Sequence, residues 1–358
     1  MKKQEYKSSG RLHKARRIGC ESFRRRGFTI IELLTVMSVI LILMSLLVPA
    51  LQAMRRQALL VKQKYQFKGI NTALQLFHND RSDYPDSGEF DRNPNVAAPG
   101  MTYCGAMKLA EAIVGQDLLG FNPLSKFYQL GTGDGLPANN GIPSGPVGTV
   151  PFGNDLYPGR PDGRVTSQLK VDASVKERNV LYLELENANA NKLGELYDMG
   201  LVDAYFGTGA WTIPVLSDVY PNVQHRRTGR NVGMPILYFK ANVTKTSHEF
   251  TPQMIPSGGQ HLNPYNTYNF WDNDWIVRMG IPNESVSGAR GTTPQPMASD
   301  NPKFISNGID GPPLFYKETW NQSVPVAGNR PYRSDSYILM SAGFDGLYGT
   351  KDDVFNFE

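Results

Sequence analysis

An apolar run of 21 residues, Phe28 to Val48, constrains this chain more than any other feature: FTIIELLTVMSVILILMSLLV. At the helical rise it spans roughly 30 Å, the thickness of a bilayer's hydrocarbon core. Its single ionisable group is Glu32. A cleaved secretory signal is the rival reading, and Val48-Pro49-Ala50 offers a small residue at a cleavage point. The run is longer than the roughly 7–15 residues of a signal-peptide core, and it holds a carboxylate. A retained span over 28–48 is therefore expected.

Charge sharpens this reading. The 358 residues carry a formal +4, with pI near 8.8, which invites a nucleic-acid partner. Ten of the 37 Lys and Arg lie in residues 1–27, against Glu5 and Glu21, so that segment holds +8 and the remainder −4. The basic character belongs to a short arm, and no nucleic-acid partner is expected. Arg24, Arg25 and Arg26 precede the span, which predicts a cytoplasmic N-terminus and an exported body. Cys20 and Cys104 are too few for a disulfide scaffold or a multi-cysteine zinc site. The 35 Gly and 25 Pro predict long loops rather than a helical bundle.

A carboxylate inside a span costs roughly 2.5–3.5 kcal/mol on insertion scales, so Glu32 needs a partner. Taken alone, it has two readings: it reaches back to interfacial water or Arg26, or it marks a functional site. Its setting is Arg25-Arg26-Gly27-Phe28-Thr29-Ile30-Ile31-Glu32-Leu33-Leu34. This resembles the prepilin signature of type IV pilins and type II secretion pseudopilins. In that family a basic residue and Gly precede a Phe, and Glu is the fifth residue counted from it. Pro49 falls where many members carry a helix-kinking proline. The resemblance implies cleavage between Gly27 and Phe28 by a prepilin peptidase, N-methylation of Phe28, and pairing of Glu32 with the Phe28 amine of a neighbouring subunit. It also implies other pseudopilins and an inner-membrane secretion platform as partners.

Beyond Pro49 apolar residues recur at Leu51, Met54, Ala58, Val61, Tyr65, Ile70, Ala73, Leu74 and Phe77. These spacings predict an amphipathic helix over 49–80, ending before Ser82-Asp83-Tyr84-Pro85. The body, 81–335, reads as loop-rich α+β. Met107–Val114 is a short amphipathic helix candidate. Residues 131–163 read as loop, Gly131-x-Gly133-x-Gly135 included. Trp211–Val219, Pro235–Val243 and Ser336–Ser341 read as strands. Val180–Leu185 is open between strand and helix, because Leu193 and Leu196 could extend it helically.

For catalysis the body offers little. His78, His225, His248 and His261 form no ligand pair at helical or strand spacing, and no Gly-x-Ser-x-Gly elbow is present. Cys104 reads as a half-buried packing residue. The aromatic set Tyr265, Tyr268, Phe270, Trp271 and Trp275 reads first as core and second as a sugar platform. No catalytic residue is expected.

The chain ends on a strand followed by a glycine-punctuated loop, Gly343-Phe344-Asp345-Gly346-Leu347-Tyr348-Gly349-Thr350-Lys351-Asp352-Asp353. Three carboxylates brought together by tight turns repel one another unless a cation lies between them, and hard oxygen ligands select Ca²⁺. On chemistry alone a solvated hairpin turn is an equal reading. Major pseudopilins of the G type end in a similar calcium loop. That resemblance implies side-chain ligands from Asp345, Asp352 and Asp353, and backbone carbonyls from Ala342 and Leu347.

The expected fold is α+β and pilin-like. A long N-terminal helix packs on a small antiparallel sheet, with a large loop-rich insertion over 86–335 and a strand and calcium loop over 336–358. The insertion is larger than the corresponding region of a G-type pseudopilin. The expected role is structural, as an inner-membrane subunit of a periplasmic type II secretion pseudopilus. A type IV pilin for adhesion or motility, and a prepilin-anchored hydrolase or sugar-binding protein, are the alternatives.

Overall fold

The computed structural model describes residues 27–88, 104–115, 117–120, 126–128, 131–133, 175–178, 181–206, 210–245, 266–282, 295–298, 312–321, 323–324 and 330–357. The basic arm, Val180, Tyr265, His248 and His261 lie outside them. The chain divides into two units, residues 1–54 and 55–358.

In the first unit every described side chain is exposed, and α1 begins at Ile30. The helix is long and apolar enough to cross a membrane. It carries Pro49 inside it and runs to Arg81. A proline removes one backbone hydrogen bond without ending a helix whose flanking turns hold.

In the second unit the rest of α1 turns one stripe inward: Gln63, Gln66, Phe67, Ile70, Ala73, Leu74 and Phe77 are buried. Steps of three and one keep these residues on one face. The helix stops where Ser82 takes φ 63° and its N–H bonds to the His78 carbonyl at 2.7 Å.

The stripe packs on a three-stranded antiparallel sheet, order β7-β8-β9, from Leu237–Lys240, Tyr337–Ser341 and Val354–Phe355. Leu237 pairs with Met340, Tyr238 with Leu339, and Met340 in turn with Phe355. Side chains alternate across a strand. Tyr238, Tyr337, Leu339 and Val354 join Phe67, Ile70 and Leu74 of α1 in one cluster. Leu237, Phe239, Ile338, Met340 and Phe355 face a second cluster, built with Tyr268, Phe270 and Phe315. The body thus covers the sheet's second face, which is why β8 is buried at all five positions.

Helix α2, Gly105–Val114, lies against β7. A Cβ on Gly105 would stand 2.1 Å from the Tyr238 carbonyl, so only glycine permits the approach. Asn273 bridges the pair, accepting from Ala106 N–H at 2.8 Å and donating to the Tyr238 carbonyl at 2.7 Å. The expected amphipathic character of α2 is corrected: all ten residues are buried, Lys108 and Glu111 included. Lys108 donates to the Gly88 carbonyl, and burial pushes its ammonium down. Cys104 is fully buried rather than half-buried.

Shorter pairings complete the body: β1 (Lys126–Tyr128) with β2 (Gly131–Gly133), β3 (Ala190–Lys192) with β4 (Pro214–Leu216), and β5 (Val223–Gln224) with β6 (Asn231–Val232). Gly131–Gly133 is therefore strand and not loop, because backbone pairing to β1 asks nothing of its side chains. Trp211 lies in a 3-10 turn, Ala210–Thr212, and the strand expected from it starts only at Pro214. Residues 181–184 of the open segment are neither strand nor helix; a one-turn helix, Leu185–Ala188, starts at its last residue. Leu193 and Leu196 belong to another short helix where both are buried. Tyr268 and Phe270 are core residues, with Trp271 and Trp275 packed against them.

Candidate functional site

Gly27, Phe28 and Thr29 precede α1 and are exposed. The Glu32 carboxylate accepts the Thr29 N–H and the Thr29 hydroxyl, each at 2.9 Å. The Glu32 N–H donates back to the Thr29 hydroxyl at 3.2 Å. This reciprocal pair is a capping box, which satisfies donors that the first helical turn leaves open. Thr29 is not among the partners expected for Glu32 from sequence, although Thr-x-x-Glu before an apolar run is the signal for this motif.

The C-terminal loop is drawn tight by Gly343, Gly346 and Gly349, at φ 67°, 73° and 87°. A Cβ on Gly343 would meet the Asp352 carbonyl at 2.1 Å, so the loop closes on itself there. Asp352 accepts the Asp345 N–H at 2.9 Å and the Thr350 hydroxyl at 2.6 Å. Asp345 accepts the Leu347 N–H at 2.8 Å. Burial pushes the Asp345 carboxyl up, and the adjacent Asp352 charge adds to it. Burial opposes ionisation of Asp352 too, but hydrogen bonds from Thr350 and Asp345 outweigh it and hold that carboxyl down.

Asp353 binds the loop's own backbone. Its Oδ2 accepts the N–H groups of Gly349 and Thr350, at 2.8 and 3.0 Å. Its Oδ1 is buried and has no hydrogen-bond partner among the described residues. Burial, and next the charge of Glu318, push this carboxyl well up.

Among the described residues no three His, Cys, Asp or Glu side chains gather in one group, so a cation here would depend on hydroxyl and carbonyl oxygens as well. What the loop does gather is oxygen: the Asp345 and Asp352 carboxylates, the Thr350 hydroxyl and the Leu347 carbonyl, which accepts from Thr350 at 3.3 Å. That donor set fits a hard cation such as Ca²⁺ and no soft one. The described histidines, His78 and His225, make local contacts. The His225 Nδ1 accepts from the Arg227 and Thr228 backbone at 3.3 and 3.2 Å, and His78 packs on Tyr84 at 4.6 Å between ring centroids.

Comparison with known families bears on the N-terminal segment. Residues 22–48 match the prokaryotic N-terminal methylation motif. The chain carries a prepilin-type methylation motif. No curated protein matches the chain, and neither does any solved structure.

A prepilin-type motif implies processing by a prepilin peptidase and assembly with other pilin-type subunits. Among the described residues one helix, α1, is long and apolar enough to cross a membrane, consistent with a single-pass anchor. The motif ends at Val48, and nothing in it refers to the loop at 342–353.

Proposed function

We propose that this prepilin-type protein is a structural subunit of a type II secretion pseudopilus, and not an enzyme. It is held in the bacterial inner membrane with its N-terminus in the cytoplasm and its body in the periplasm. The observation that carries this reading is Glu32, the single ionisable group of the apolar run inside a methylation motif. In the free subunit its carboxylate closes the capping box with Thr29. After cleavage behind Gly27, the Phe28 amine of a neighbouring subunit offers it an opposite charge in a low-dielectric setting, where attraction is large. Exchange of the local cap for that amine sets the register of the filament.

The C-terminal loop would take Ca²⁺ through Asp345, Asp352 and the carbonyls of Ala342 and Leu347, with Asp353 bracing the loop from within. The bound ion would stiffen the end of β8 without taking part in chemistry.

Mass spectrometry of the mature N-terminus, combined with a secretion assay of Glu32→Ala, tests the proposal. Methylated Phe28 and lost secretion are expected. An N-terminus near Leu51, or normal secretion by the variant, overturns it. Surface fibres with secretion intact would favour a type IV pilin instead.

A further inference from the structure

Asp218 lies just after β4, fully buried, and 123 positions from Ser341 in sequence. Its Oδ2 accepts the Ser341 hydroxyl at 2.7 Å. Its Oδ1 accepts the Tyr220 and Met234 N–H groups at 3.1 Å each. The Ala342 N–H donates to the same carboxylate. Four donors converge on one buried acceptor, which offsets much of the penalty for burying it. Gly233 leaves it the space: a Cβ there would stand 2.0 Å from Oδ1.

The grip extends into the loop. Ser341 Oγ accepts the Gly343 N–H at 3.3 Å, and Asn222 donates to the Gly343 carbonyl at 3.0 Å. A Cβ on Gly346 would meet the same Asn222 amide at 2.9 Å. On the other side α1 holds the segment: Gln66 donates to the Ser217 carbonyl at 2.8 Å, and Gln63 accepts the Val219 N–H at 3.0 Å. Residues 217–222 therefore clamp the point at which the chain leaves β8, while α1 fixes the clamp.

We propose that Asp218 is a positioning residue for the C-terminal loop: by holding Ser341 and Ala342 directly, and Gly343 through Ser341, it sets the divalent-cation affinity of Asp345 and Asp352. This rests on the calcium reading of that loop. Asp218 is not among the residues proposed to ligate the ion. Its effect is on the ordering that binding would otherwise require, because cation affinity rises with ligand rigidity.

The test uses the full chain in detergent, titrated with Ca²⁺ by calorimetry, with Asp218→Asn and Ser341→Ala beside it. Outer partners of metal ligands change affinity by roughly 10–100-fold, and both variants should weaken Ca²⁺ binding at least tenfold. A group that only stabilised the fold would lower the unfolding temperature in chelator and leave the dissociation constant of the folded protein unchanged; that result overturns the proposal. Hydrogen exchange without cation is the second arm. The Ala342 and Gly343 amides should exchange at least about tenfold faster in Asp218→Asn, and unchanged exchange overturns the clamp. If the wild-type chain binds no Ca²⁺, the calcium reading fails, and with it the assignment of a cation affinity to Asp218. Faster exchange confined to 341–346 would then support the clamp alone.

Discussion

The Arg56 guanidinium of α1 lies over the Phe344 ring, 4.7 Å from its centroid. Phe344 is 44% exposed at the tip of the acidic loop, next to Asp345. The contact ties the loop to α1 directly, beside the indirect tie through residues 217–222. A cation–π pair at an exposed site contributes about 0.5–1 kcal/mol. Phe344→Ala should therefore lower stability by about that amount and leave the fold intact, as thermal unfolding with unchanged far-ultraviolet circular dichroism would register.

Glu32→Gln separates the two roles assigned to the carboxylate. A glutamine can still accept from Thr29 and keep the capping box. It cannot neutralise an ammonium group. Assembly, measured by filament pelleting or secretion, should be lost in Glu32→Gln as in Glu32→Ala, whereas Thr29→Ala should assemble. Assembly by Glu32→Gln would mean that helix capping was the purpose of the residue.

Burial pushes the Asp218 carboxyl up to about 7, against the pull of its four donors. A carboxyl raised on folding stabilises the native state fully below its unfolded value, near 4, and loses that contribution as pH climbs through the folded value. Asp353 is raised too and acts in the same direction. Wild-type stability should fall between about pH 4 and 7 relative to Asp218→Asn, whose curve should be flatter over that window. Denaturant midpoints at pH 5 and 8 measure the difference, and parallel curves would count against a titrating Asp218.

If the acidic loop takes Ca²⁺, adding the ion should raise the unfolding temperature of the wild-type chain, and chelator should reverse the rise. Asp345→Asn and Asp352→Asn should each abolish most of the shift. Asp353→Asn should keep more of it, because Asp353 spends its Oδ2 on Gly349 and Thr350.

Leu339 is central to the sheet face that meets α1, and it is fully buried. Leu339→Ala should destabilise the body by about 2–5 kcal/mol, read from denaturant unfolding of the full chain in detergent. A loss below 1 kcal/mol would show that the helix and sheet do not share that core.

Much of this fold is legible in the order of the residues. The helix from Leu51 to Phe77 is legible from its three- and four-residue spacings, but its inward face is only half so. Ile70, Ala73, Leu74 and Phe77 are buried as expected, whereas Leu51, Met54, Ala58, Val61 and Tyr65 are exposed. The buried stripe opens on Gln63 and Gln66, which an apolar pattern passes over. The strand around Ile338 is a short apolar run, Tyr337 to Met340, between turn formers. The full burial of α2 is not legible, because periodicity cannot tell a half-buried helix from one enclosed by contacts on every side. The strand at Gly131–Gly133 is hidden because its pairing uses backbone alone. Cys104 gives no sign of the depth at which it lies.

The sequence by itself determined the membrane-length run, Glu32 within it, the prepilin-type motif over residues 22–48, and the crowding of Asp345, Asp352 and Asp353 in one short loop. Each is a local pattern, written in consecutive residues whose chemistry does not wait for folding. Only the tertiary structure decided that the sheet is covered on both faces, that Asp353 binds the Gly349 and Thr350 backbone, and that Asp218 grips Ser341. Such contacts join positions more than a hundred residues apart, or choose among rotamers within one loop, and neither leaves a periodic trace in the chain. Packing selects them, because a buried carboxylate such as Asp218 must find its donors wherever the fold brings them.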